Sequence, residues 1–172
     1  MSSVFSFPNP VNEKAARTVA GVVLLMGIIT LVTSWYWLLI PLAYGFVARV
    51  LTGPTLSPLG RLATAVIAPR LGAPKPVAGP PKRFAQGMGA VMTVAAAVIA
   101  LGHPSHVSVA ADVLLGMLIV AAGLESIAGF CIGCRVFAGL MRLGLVPDEV
   151  CEECANIGLR RERRDTLSPT GR

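Results

Sequence analysis

Charge is scarce in this sequence: Asp, Glu, Lys and Arg supply 14% of 172 residues, against about 25% in an ordinary soluble domain. With 54% hydrophobic residues and a mean hydropathy of +0.70, too little polar surface remains to coat a globule. An integral membrane protein is expected. Length excludes more, because each membrane-crossing helix takes about 20 apolar residues. A chain of 172 residues holds a few spans, and it excludes a separate soluble catalytic domain, a large pore or two six-helix halves. Chemistry has to sit in the spans or in short segments beside them. No internal repeat is evident, and cysteine is missing from the whole chain before Cys131.

Four apolar runs are present. Ala15 to Thr33 follows the cap residue Asn12, and Trp35 to Leu51 comes almost at once, separated only by Thr33 and Ser34. So tight a turn makes an antiparallel hairpin, with Trp35, Tyr36 and Trp37 at the lipid and water boundary. Pro41 is expected to kink the second run. Phe84 to Leu101 and Val107 to Cys131 form a second hairpin through Gly102, His103, Pro104, Ser105 and His106. The runs lack the alternation of barrel strands, and helices otherwise satisfy backbone hydrogen bonds in lipid. The expected fold class is therefore all-α: a polytopic membrane protein of four transmembrane helices.

Lys and Arg are absent from both short turns. Of the 15, two lie at the start of the first run, one (Arg49) ends the second, five lie between Thr52 and Arg83, and seven follow Cys131. By the positive-inside rule, both termini and the central loop face the cytoplasm. No removable signal peptide is expected, since the first run leads directly into another.

The expected organisation is a cytoplasmic N-terminus over 1–14, a first hairpin over 15–51, a cytoplasmic proline-rich loop over 52–83 and a second hairpin over 84–131. A cysteine-bearing helical segment over 132–158 and a disordered basic tail over 159–172 complete it. The loop holds seven of 13 prolines. Within it, Leu59, Leu62, Ala63, Val66 and Ile67 recur at helical spacing after Ser57 and Pro58, a favourable cap and first-turn pair. A short interfacial helix is expected there. A connector without fixed structure follows, containing Pro74, Pro76, Pro80 and Pro81. After the last span, helical stretches are expected at Arg135 to Leu143 and Asp148 to Ile157. The tail, with Arg160, Arg161, Arg163 and Arg164, suits anionic lipid.

All four cysteines lie within 24 residues, as Cys131-Ile-Gly-Cys134 and Cys151-Glu-Glu-Cys154. Two such pairs fit a four-thiolate zinc site, and each alone fits a dithiol redox centre. At a cytoplasmic face a static disulfide clamp is the weakest reading. Positions three apart share a helix face, so each pair can present both sulfurs together. A shared metal requires the chain to bend near Gly129 or Gly133. Arg135 beside Cys134 favours thiolate, whereas Glu149, Glu152 and Glu153 oppose it around Cys151 and Cys154. Cys131 and Cys134 are thus the candidate exchange pair, with Cys151 and Cys154 as resolving dithiol. In the zinc alternative all four are ligands.

Asp112 and Glu125 are the acids within the runs. Asp112 lies near the outer end, within reach of water. Glu125, six residues before Cys131, is a candidate proton relay if the helix bends; a carboxyl protonated or paired in the bundle is the alternative. His103 and His106 lack a third ligand and are read as solvated. The glycines Gly87, Gly89, Gly116, Gly123 and Gly129 suit close helix packing, within the chain or between copies.

The block Phe130-Cys131-Ile132-Gly133-Cys134, with Gly53-Pro54 and Ser57-Pro58, the proline-rich loop and Phe84-Ala85-Gln86-Gly87, resembles a bacterial membrane family, domain of unknown function 4395. The likeness covers Pro8 to Leu140 and leaves out Cys151 and Cys154. It implies a four-helix protein of the bacterial inner membrane, associated with thioredoxin-like and sulfurtransferase proteins, with no settled activity. The combined expectation is a thiol redox or sulfur relay with a thioredoxin-like or rhodanese-like partner. The alternative is a non-enzymatic membrane scaffold holding zinc. The bilayer and a second copy are the other expected partners; nucleic acid is not among them. Transport of a sulfur compound lacks polar residues to line a path.

Overall fold

A computed structural model describes residues 7–102, 108–147 and 150. His103, His106, Cys151, Cys154, the expected helix from Asp148 to Ile157 apart from Val150, and the basic tail lie outside the described residues.

The fold is all-α apart from one two-residue strand pair. Helix α1 (Glu13–Thr33) starts at Asn12, whose side chain accepts from the Lys14 N–H at 3.0 Å. A 3₁₀ turn (Tyr36–Leu38) leads into α2 (Leu39–Thr52). Pro41 falls in the first turn of α2, where an N–H has no intrahelical partner to lose. The expected kink inside a longer helix is thereby replaced by a helix start.

The central loop is more ordered than a proline-rich connector. Helix α3 (Pro58–Leu62) is capped by Ser57 Oγ, which accepts from Gly60 N at 3.2 Å. It runs through a π-helical stretch (Ala63–Ile67) into α4 (Ala68–Arg70). Gly60, Ala63 and Ala68 are buried, and the segment packs on α1. Strand β1 (Val11–Asn12) pairs antiparallel with β2 (Pro76–Val77), and an ion pair at 2.8 Å between an exposed Lys75 and a largely buried Glu13 lies beside it. Pro80 and Pro81 belong to the first turn of α5 (Gly79–Gly102), so the connector stops earlier than expected and Lys82 becomes helical. Helix α6 (Val109–Ala128) follows, then α7 (Ile132–Arg142).

Helices α1, α5 and α6 are each long and apolar enough to cross a membrane, whereas the apolar stretch Tyr36–Thr52 is shorter. Their outer faces carry large apolar side chains, with Val32, Val109 and Ile127 each 77–78% exposed. In water this surface would be costly; lipid removes the cost.

Helix pairing follows chain order only in the second hairpin, where α5 packs on α6. α1 packs chiefly on α6 and α2 on α5, while α1 and α2 barely touch. The buried centre comprises Val19, Val23, Leu39, Leu42, Leu115 and Leu118 with small residues such as Ala96 and Ala100. At one end, Tyr36 Oη donates to Asp112 Oδ1 at 2.7 Å, tying the turn after α1 to the start of α6. This assigns Asp112 a bundle contact rather than simple solvation. The basic residues gather towards the other end, where α1 and α5 begin and α2 and α6 finish.

Candidate functional site: a dithiol at a helix start

At that second end the chain turns sharply from α6 into α7. Gly129 takes φ +66°, a left-handed conformation that glycine adopts without penalty. Its N–H donates to Glu125 O at 3.1 Å and the next N–H, of Phe130, to Leu124 O at 3.0 Å. Arg17 secures the same helix end from α1, donating to Ser126 O at 3.1 Å and to Ile127 O at 2.7 Å. A cation suits the negative end of the helix dipole.

The turn delivers Cys131 to the N-cap of α7. Its Sγ accepts from the Cys134 N–H at 3.3 Å, the place usually filled by a Ser or Asp oxygen. Here the reading of two cysteines on the face of one helix is corrected: Cys131 precedes the helix and Cys134 lies inside its first turn. A sulfur so placed meets free N–H groups and the positive end of the helix dipole. Close packing fixes the arrangement, since an added Cβ at Gly133 would come within 2.6 Å of Ala85 Cα on α5.

The two thiols are free and partly buried. Their acidities are driven apart. The hydrogen bond from the Cys134 thiol holds Cys131 below the ordinary thiol range, assisted by Lys82 and the backbone N–H, against burial and Glu125. Cys134 is pushed far up, first because its proton bonds Cys131, then by burial and by the Cys131 charge. Arg135 does not activate Cys134 as its sequence position suggested; its guanidinium lies 5.1 Å from the centre of the Phe130 ring.

Beneath the pair, Lys82 on α5 and Glu125 on α6 form an ion pair with side chains only 9% and 15% exposed. The bend at Gly129 thus brings Glu125 and Cys131 into one electrostatic cluster, with Glu125 paired to Lys82. Sequence reasoning missed Lys82, counting it as a loop cation. Its position directly before an apolar run was the available signal. Arg49 was likewise counted only as an orienting charge, yet it is 6% exposed and donates through Nε to Gln86 Oε1 at 2.8 Å. Among the described residues no three His, Cys, Asp or Glu side chains converge as metal ligands. The four-cysteine zinc arrangement depends on Cys151 and Cys154, outside those residues.

The family model described as Domain of unknown function (DUF4395) matches residues 11–142, and the chain belongs to that family. The Cys131–Cys134 pair falls within the match and Cys151 and Cys154 beyond it. None of the curated proteins and none of the solved structures matches the chain.

Proposed function

We propose that this member of the DUF4395 family is a four-span protein of the bacterial inner membrane that exchanges thiols at its cytoplasmic face through Cys131 and Cys134. One observation carries the reading: Cys131 Sγ caps α7, accepting from the Cys134 N–H at 3.3 Å. A thiolate in that position attacks a partner's disulfide or persulfide sulfur. In the disulfide case a Cys131–partner mixed disulfide forms and a partner thiolate leaves. Cys134, giving up its proton, then attacks Cys131 Sγ, closing the intramolecular disulfide and releasing the partner's second thiolate. A thioredoxin-like or rhodanese-like protein supplies the matching chemistry.

In nanodiscs equilibrated with glutathione redox buffers, the protein is expected to form a reversible disulfide that peptide mapping assigns to Cys131–Cys134. A pair that stays reduced under every buffer in which thioredoxin oxidises would overturn the proposal.

In this topology Tyr36–Thr52 supplies the fourth span, at about 1.5 Å per helical residue. Its shortness is accommodated by bilayer thinning and by the flanking Trp35 and Trp37, which are exposed. The support for both termini facing the cytoplasm is the gathering of cations at the thiol end. In a background whose native cysteines are serine, Lys75→Cys should resist an impermeant maleimide in intact cells and His103→Cys should react. The opposite labelling would place the thiols in the oxidising compartment.

A further inference from the structure

Between α1, α2, α5 and α6 a cavity of about 150 Å³ reaches from Arg49 and Gln86 to Glu125 and Cys131. The rest of its wall is largely apolar, including Val19, Val23, Met88 and Met92. Arg49, 6% exposed, has only neutral partners: Gln86 Oε1 at 2.8 Å, Ser57 Oγ at 3.4 Å and the Phe46 ring at 4.7 Å. Its Nη2 is buried and bonded to nothing among the described residues. The neighbouring carboxylate, Glu125, is bound to Lys82. Arg49 is thus left with no anion in direct contact, because Lys82 takes Glu125 and the Cys131 charge bears on Lys82. Water can satisfy an orphaned N–H, yet it leaves a buried charge uncompensated, and such charges are costly.

We propose that this cavity binds a small organic anion, a carboxylate or sulfonate of a few carbons. Its oxygens accept from Arg49 Nη2, which is buried without a partner among the described residues, and from the amide nitrogen of Gln86, whose Oε1 already accepts from Arg49 Nε. Its apolar part rests on the methionine and valine wall. Size agrees, because a cavity of about 150 Å³ takes a benzene-sized molecule. The guanidinium repels metal cations, and the apolar wall disfavours strongly hydrated anions such as sulfate. With Cys131 on the same wall, the occupant lies beside the thiol. The site does not rest on thiol exchange, so binding and redox chemistry can be lost separately.

The test uses the full chain in phosphatidylcholine nanodiscs, which contain no anionic lipid. Propionate, methanesulfonate and sulfate are titrated against chloride at constant ionic strength, following the melting temperature and the rate of Cys131 alkylation by N-ethylmaleimide. Propionate or methanesulfonate is expected to raise the melting temperature saturably and to slow alkylation, with sulfate weaker. Arg49→Lys keeps the charge but loses Nη2, and should weaken binding about tenfold or more. Ala121→Leu fills the cavity without touching the Arg49 hydrogen bonds and should abolish it. The proposal is overturned if no anion outperforms chloride on the wild type, if Ala121→Leu binds as wild type does, or if binding appears only when anionic lipid is added.

Discussion

Limiting iodoacetamide at neutral pH is expected to alkylate Cys131 first, about tenfold or more ahead of Cys134. The thiolate is the attacking species, and the fold separates the two sulfurs: Cys131 Sγ caps α7 and accepts from the Cys134 N–H, with its acidity raised, whereas that of Cys134, inside the first turn, is lowered. Because its acidity is raised, Cys131 should keep reacting as pH falls below the free-thiol value of about 8.5, while Cys134 stays protonated throughout the neutral range. The sign carries over to stability. A group whose folded pKa is lowered contributes stability present above its unfolded pKa and lost as pH falls through its folded pKa. Cys134→Ala removes the largest cause of the lowering and should slow Cys131 at neutral pH, with reactivity recovered at higher pH. Preferential labelling of Cys134, or rates at Cys131 that ignore this substitution, would contradict the assigned roles. Cys151 and Cys154, surrounded by Glu149, Glu152 and Glu153, should also follow Cys131.

Lys82→Met should be the most destabilising of the single changes near the thiols, by about 3–5 kcal/mol. Both members of the Lys82–Glu125 pair are largely removed from solvent, so removing the ammonium leaves a carboxylate without a partner between α5 and α6. The same change removes a charge that lowers the Cys131 pKa and exposes the thiol to Glu125 unopposed. Slower alkylation should therefore accompany the lost stability. Replacing both residues, as Lys82→Met with Glu125→Leu, should recover most of the stability, because an apolar pair of similar volume avoids the desolvation cost. Denaturation in mild detergent, with alkylation rates on the same preparations, reads both effects. A double variant no more stable than Lys82→Met would mean that the pair is not the source of the loss.

Hydropathy was sufficient to locate α1, α5 and α6, since a long apolar run leaves few alternatives in lipid. The caps were legible too: Asn12 and Ser57 are short acceptors placed just before helical patterns, and both accept from the expected N–H groups. Helix partners beyond the α5–α6 hairpin were not legible. Every apolar face can pack on every other, so the association of α1 with α6 and of α2 with α5 depends on close-range shape. Charges misled for a related reason. Arg49 and Lys82 count equally with exposed cations in a positive-inside tally, yet both are buried, one against neutral groups and one against Glu125. The Cys-Ile-Gly-Cys spacing located the pair but not which sulfur caps a helix. That depends on where α7 begins, and Gly129 decides it by ending α6 two residues before Cys131.

The central claim is that Cys131 attacks and Cys134 resolves, and trapping in living cells tests it most directly. Epitope-tagged Cys134→Ser and Cys131→Ser variants, each in a background with Cys151 and Cys154 replaced by serine, would be acid-quenched and compared on non-reducing gels. Cys134→Ser should accumulate a mixed disulfide through Cys131 with a cytoplasmic thioredoxin-like or rhodanese-like protein, and Cys131→Ser should accumulate none. A complex trapped by Cys131→Ser alone, or by neither variant, would contradict it.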